Sequence, residues 1–287
     1  MTSQERVMAA VEHRHPDKPP LMYRDVPEVR TRLLKDLQLR NDDELYEAFG
    51  IDFRWVEPQW IGPALESSPA EYVDQWGVGW KYTKFSEAAG YWNVEFHPLI
   101  DQEDLDALRS FPIPDVGWWD FSEMQSTADR YADYAIMSAP GVSSPGILQY
   151  PIQTLIGAER SLVELYSNPD FIHSLIDRVL EFLLPFVQKM TQSCRLDFFR
   201  MGDDYGTQQG RLIGTEQWNN FFRDPLQKLS GAAKQTGARF YLHSCGSVRN
   251  LIPSLLDIGL DVLDPLRVGA AEMDPGQLKE EFGNRLT

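Results

Sequence analysis

Arg239-Phe-Tyr-Leu-His-Ser-Cys-Gly-Ser247 is an apolar run that ends in two metal-binding side-chain types. Phe240, Tyr241 and Leu242 predict a strand, and Gly246 breaks it. In extended backbone, residues i and i+2 point to the same side, roughly 7 Å apart at about 3.3 Å per residue. His243 and Cys245 at that spacing can close on one ion, because zinc sits about 2.0 Å from nitrogen and about 2.3 Å from sulfur. Taken alone, the pair fits a buried histidine beside a small apolar cysteine better than a metal site. Its position in the chain gives it weight.

Outward from that strand, the chain alternates strand and helix. Strands are predicted at Leu21–Tyr23, Ile51–Glu57, Tyr134–Ala139, Leu196–Met201, the His243 run and Asp261–Asp264, with Asn284–Thr287 as the start of a seventh. Helices are predicted at Ser3–His13 (Ser3 as N-cap), Pro27–Leu39, Asp42–Phe49, Asp101–Ser110, Phe121–Tyr131, about Gln153–Ser193 with a break at Asn168-Pro169, Thr215–Gln235 with a bend at Pro225, Val248–Ile258 and Pro275–Phe282. Six strands separated by helices argue for an α/β fold of the TIM (β/α)8 barrel type, one domain over residues 1–287. The first strand is not followed by a Gly-rich phosphate loop, which counts against an open dinucleotide-binding sheet. A full barrel needs two more βα units, so the barrel is expected to be C-terminally incomplete. Strands 7 and 8 are then missing, and a gap in the wall makes the chain prone to associate. Residues 72–97 differ in texture, alternating with aromatic residues, and predict a β-hairpin insertion. Trp76, Trp80, Tyr82, Tyr91, Trp92 and Phe96 either cover the barrel mouth or a partner surface, or form a satellite core.

The chain has 287 residues, 43% of them hydrophobic, and a net charge of −16. That charge repels nucleic acid and anionic membrane, so neither is an expected partner. The two cysteines, Cys194 and Cys245, make no disulfide framework and fit a reducing cytoplasm. The polar N-terminus does not read as a signal peptide, and the apolar runs are short of a membrane span.

In βα barrels the chemistry sits where strands end. Three consecutive predicted strand ends carry polar groups: Asp203 and Asp204, then His243 and Cys245, then Asp264. Adjacent strands lie about 4.8 Å apart, so these groups can converge. Asp203 and Asp204 are the expected catalytic carboxylates, although Asp after a strand is also a common turn or capping residue, and one of the pair fits that use. Glu57, Tyr205, Gln208 and Asp264 are the expected substrate contacts. Cys194 precedes its strand and so belongs to the opposite end of the barrel. His13, His15, His97 and His173 have no partners at metal spacing.

Several segments resemble the uroporphyrinogen decarboxylase-like superfamily: Glu5-Arg-Val-Met-Ala-Ala-Val-Glu-His-Arg-His-Pro-Asp-Lys-Pro-Pro20, Gly202-Asp-Asp-Tyr-Gly-Thr-Gln-Gln209, His243-Ser-Cys-Gly-Ser-Val-Arg-Asn-Leu-Ile-Pro253, Ile258-Gly-Leu-Asp-Val-Leu-Asp-Pro265 and Met273-Asp-Pro-Gly-Gln-Leu-Lys279. The resemblance implies a TIM barrel and two chemistries. True decarboxylases of that superfamily act on a tetrapyrrole without metal and carry an Arg-rich segment after the first strand. The matching place here reads Met22-Tyr-Arg-Asp-Val-Pro-Glu28, where only Arg24 is basic and Asp25 and Glu28 repel a polycarboxylate. The other branch, corrinoid-dependent methyltransferases and demethylases, is the better match. It implies zinc held by His243, Cys245 and a later cysteine, which here would lie beyond Thr287; Asp203, Asp204 or Asp264 is the substitute within the chain. It also implies a corrinoid carried by a partner protein, and a small methylated or thiol substrate. The alternatives are tetrapyrrole decarboxylation and an inactive, truncated barrel.

Overall fold

The computed structural model describes residues 1–65, 70–87 and 89–287. Its strands are β1 (Phe53–Val56), β2 (Gln59–Trp60), β3 (Tyr72–Val73), β4 (Gly79–Lys84), β5 (Gly90–Phe96), β6 (Trp119–Asp120), β7 (Ala135–Ser138), β8 (Phe198–Gly202), β9 (Arg239–His243) and β10 (Val262–Asp264). Five of them form one sheet in the order β1-β7-β8-β9-β10, and every neighbouring pair is parallel. Spatial order follows chain order, with helices between most of the strands, as in the wall of a βα barrel.

The predicted strand Leu21–Tyr23 is not a strand. The Asp52 backbone N–H donates to the Leu21 carbonyl at 2.9 Å, and the Leu21 N–H donates to the Asp52 carboxylate at 2.8 Å. A side chain thus takes the place of a ladder partner, and Pro19 and Pro20 just before have no N–H to offer a ladder. At the other edge of the sheet, Leu263 N–H donates to Thr287 O (3.0 Å) and Thr287 N–H to Asp261 O (3.2 Å), a parallel bridge beside β10.

Alternation along the strands sorts the sheet into two faces. On the inner face Phe53, Ala135, Met137, Phe198 and Tyr241 pack with Val7 of the helix Ser3–Val11. On the other face Ile136, Phe199, Met201, Phe240, Leu242 and Leu263 join the main core. There the long helix Pro169–Ser193 contributes Phe171, Leu175, Val179, Phe182 and Phe186 along one stripe. Burial on both faces explains why the strands read as nearly unbroken apolar runs. The first helix is capped by Thr2 rather than Ser3: Thr2 Oγ1 accepts from Glu5 N–H while Thr2 N–H donates to the Glu5 carboxylate. Arg6 ties that helix down, bonding Asp17 and Asp52 at 2.6 Å each. The predicted helix Thr215–Gln235 is two helices, Thr215–Phe221 and Arg223–Lys234, broken at Phe222. Pro225 fits that break, since its ring crowds the carbonyl of Phe221, four residues back, where the first helix ends. It sits in the first turn of the second helix, where no N–H is needed.

The aromatic insertion is a three-stranded antiparallel sheet, β3-β4-β5, rather than a simple hairpin; residue 88, in the β4–β5 connection, lies outside the described residues. The stretch 72–80 turns back on itself because Asp74 accepts from Trp76 N–H, Val78 N–H and Trp80 Nε1–H. The turn aims Trp76 into the main core, edge-on to Phe182 at 5.4 Å between centroids. Tyr91 and Trp92 stay exposed. The insertion is therefore pinned by its turn, and near its far end the Tyr82 hydroxyl donates to Glu28 of the helix Pro27–Asp36 at 2.9 Å.

Among the described residues no helix is long and apolar enough to cross a membrane.

Candidate metal centre at the strand ends

Register brings the expected residues into one row. Gly202 of β8 pairs with His243 of β9, which pairs with Asp264 of β10. The chain after β8 carries Asp204 back over the same end. His243 is the hub. Its Nδ1 lies 2.9 Å from Asp264 Oδ2, and its Nε2 lies 3.7 Å from Cys245 Sγ and 3.8 Å from Asp204 Oδ1. Nδ1–H donates a hydrogen bond to Asp264, which leaves the Nε2 lone pair facing the thiol and the carboxylate. Asp204, His243 and Cys245 offer donor atoms that all lie within 4.8 Å of one another. Bonds of about 2.0–2.3 Å to a tetrahedral ion place donors roughly 3.5 Å apart, so this oxygen, nitrogen and sulfur set fits zinc with little movement. Burial pushes the Cys245 thiol up, and Asp204 adds to the effect. Burial alone would raise the Asp264 carboxyl, but the hydrogen bonds from His243 and Tyr241, with the Arg200 charge, outweigh it and hold the carboxyl below its usual range.

The two aspartates have separate tasks. Asp203 does not reach the cluster. Fully buried, it accepts from the backbone N–H groups of Ile147 (2.6 Å), Leu148 (3.0 Å) and Gln149 (2.8 Å) and from the Tyr205 hydroxyl (2.9 Å). This is the capping use that Asp after a strand suggests, applied to a distant loop. Burial pushes its carboxyl up while the four donors pull the other way. Tyr205, expected at the substrate, is also fully buried, edge-on to Trp218. Gln208 is exposed on the following loop, and its carbonyl takes Ala271 N–H. Cys194 lies buried before β8, away from the cluster, its thiol pushed up to about 11 by burial. His97 is held by the Thr154 carbonyl at 2.7 Å and His173 stacks on Phe221.

A cavity of about 950 Å³ opens between the aromatic insertion and the barrel, and Gly202, the register partner of His243, lines it. Glu57, Trp60, Tyr72, Asp74, Trp80 and Tyr150 form much of its wall. Glu57 is exposed at the mouth yet ringed by protein, which pushes its carboxyl up. Trp80 and Tyr72 thus reach the mouth, while Trp76 belongs to the core. Asp74, Tyr150 and Arg200 had no motif to mark them; for Arg200 the one signal was an arginine inside the apolar run Phe198-Phe-Arg-Met201.

Two glycines hold the donor loops together. A Cβ on Gly206 would stand 2.6 Å from Ser247 N and 2.8 Å from Cys245 O, and Gly246, at φ +88, faces Gly206 in turn. The loops after β8 and β9 touch backbone to backbone. Gly206→Ala is expected to cost about 1–3 kcal/mol in urea unfolding and to weaken zinc binding, because the Cys245 segment must move. Unchanged stability and affinity would contradict this packing.

A family model described as uroporphyrinogen decarboxylase (URO-D) matches residues 150–267, the span that holds Asp204, His243, Cys245 and Asp264. No curated protein matches the chain. Among solved structures, a methyltransferase from Methanosarcina mazei is similar at a TM-score of 0.62 with 16% identity, covering 100% of this chain and 81% of that one. At this identity the likeness is one of fold.

Proposed function

We propose that this chain binds zinc through Asp204, His243 and Cys245 and moves a methyl group between a small methylated or thiol substrate and a corrinoid carried by a partner protein. The observation that carries the reading is the convergence of three donors at adjacent strand ends, beside a cavity sized for a small molecule. Asp204 serves as the third ligand within this chain. Zinc held there supplies the positive charge that keeps a substrate thiol ionised at neutral pH. Asp264 fixes the His243 ring and its tautomer, and Trp80 and Tyr72 shield the mouth from water. A corrinoid on the partner protein would supply the methyl group to the thiol sulfur, or take it in the reverse direction. Tetrapyrrole decarboxylation fits less well, because Glu57 and Asp74 face the cavity and repel a polycarboxylate.

Metal analysis after zinc loading and dialysis is expected to return one zinc per chain. Corrinoid absorbance in the presence of a methylated corrinoid protein and a panel of thiols then reports transfer. Asp264→Asn is expected to keep the fold and lower zinc affinity about 10–100-fold, because the amide lacks the negative charge that favours the Nδ1–H tautomer and makes Nε2 a stronger donor to the metal. An Asp264→Asn protein that binds zinc as tightly as the wild type would remove Asp264 from the site.

A further inference from the structure

A cation without a counter-ion lies beside the inner end of the cavity. Arg200 stands on β8, 4% exposed. Its backbone N–H takes Ser138 Oγ, but among the described residues its guanidinium has neither an acid in ion-pair contact nor a hydrogen-bond acceptor, and Nε is buried without a partner. A Cβ on Gly202 would stand 3.6 Å from Nη1 and 3.8 Å from Nη2, so the fork lies against the bare Gly202 backbone that lines the cavity. The nearby acids are committed elsewhere: Asp264 to His243, and Asp204 to the Cys245 N–H. Arg24, exposed on the N-terminal segment, reaches the same region, 3.4 Å from His243 Nδ1. Burial, and then repulsion from Arg24, push Arg200 down to about 10. A buried charge left without its partner strongly destabilises a fold. Arg200 is thus desolvated with no anion in contact among the described residues.

We infer that Arg200 is a seat for the carboxylate of a small substrate that enters through the cavity and passes Gly202. A planar fork suits a carboxylate held by two parallel N–H···O bonds. A doubly charged phosphate is disfavoured, because the charges of Asp264 and Asp204 already act at Arg200 and the chain carries a net charge of −16. The seat extends the methyl-transfer reading by giving the substrate an anionic end, and it binds whether or not zinc is present.

Titration calorimetry tests this with benzoate as the probe, benzamide as its neutral counterpart and inorganic phosphate as the competing anion. Benzoate is expected to bind the wild type alike with and without added zinc, and to bind Arg200→Met at least tenfold more weakly. Benzamide and phosphate are expected to bind less tightly than benzoate. The Arg200→Met protein should melt at the wild-type temperature or above, since it loses an uncompensated buried charge. The inference is overturned if benzoate does not bind the wild type, binds Arg200→Met equally, or is matched by benzamide or phosphate, or if Arg200→Met melts lower, as a structural cation would require. Failure of the zinc reading shows separately, as absent metal in a wild type that still binds benzoate.

Discussion

Replacing His243 with Ala should abolish stoichiometric zinc binding and lower methyl transfer by more than about 100-fold, beyond the loss typical of removing a supporting residue around a metal. His243 is the one side chain that contacts every other member of the cluster: Asp264 through Nδ1, Cys245 and Asp204 through Nε2. Without it Asp204 and Cys245 remain as two donors joined only by the Cys245 N–H bond, too few for a stable catalytic zinc. Cys245→Ser should act similarly, because a hydroxyl does not replace a thiolate as a ligand for zinc. His243 and Cys245 are both partly exposed, so circular dichroism and melting temperature should stay near wild type. A His243→Ala protein that holds zinc and retains activity would place the chemistry elsewhere.

Asp203→Ala should be the most destabilising single change at this end of the sheet, at about 3–5 kcal/mol. It strips the acceptor from three backbone N–H groups and a tyrosine hydroxyl that no water reaches. A protein of ordinary stability, about 5–15 kcal/mol, has little left after that loss. Asp203→Asn should be milder. One amide oxygen can still serve Ile147, Leu148 and Tyr205, while the amide nitrogen faces the Gln149 N–H and loses one bond. Asp204→Asn should do the reverse, leaving urea stability near wild type and weakening zinc binding. Equal stability of Asp203→Ala and Asp204→Asn would contradict the division of labour between the two aspartates.

How much of this was legible depends on where each residue's partners lie in the chain. The rhythm of strands and helices was readable because the sheet is buried on both faces, and the runs Phe198–Met201 and Phe240–Leu242 show that burial directly. Leu21–Tyr23 misled because its apolar run is local, while Asp52, which replaces its ladder partner, lies far along the chain. His243, Cys245 and Asp264 were legible because strand ends in chain order are also neighbours in the sheet. The separate tasks of Asp203 and Asp204 were not, since adjacent residues in an extended chain point opposite ways and only the 147–149 loop decides which one is buried. Tyr205 shares its segment with Asp204 but turns into the core, where Trp218 and Phe222 receive it. Arg200 carried no motif. Its oddity, a lone cation in an apolar strand, becomes meaningful only when its contacts are found to contain no anion.

X-ray absorption at the zinc edge of the loaded wild-type protein tests the central claim most directly. The cluster predicts one zinc per chain with one sulfur neighbour at about 2.3 Å and nitrogen and oxygen neighbours at about 2.0–2.1 Å, the sulfur lost in Cys245→Ser. Zinc that washes out on dialysis, or a spectrum without sulfur in the wild type, would contradict it.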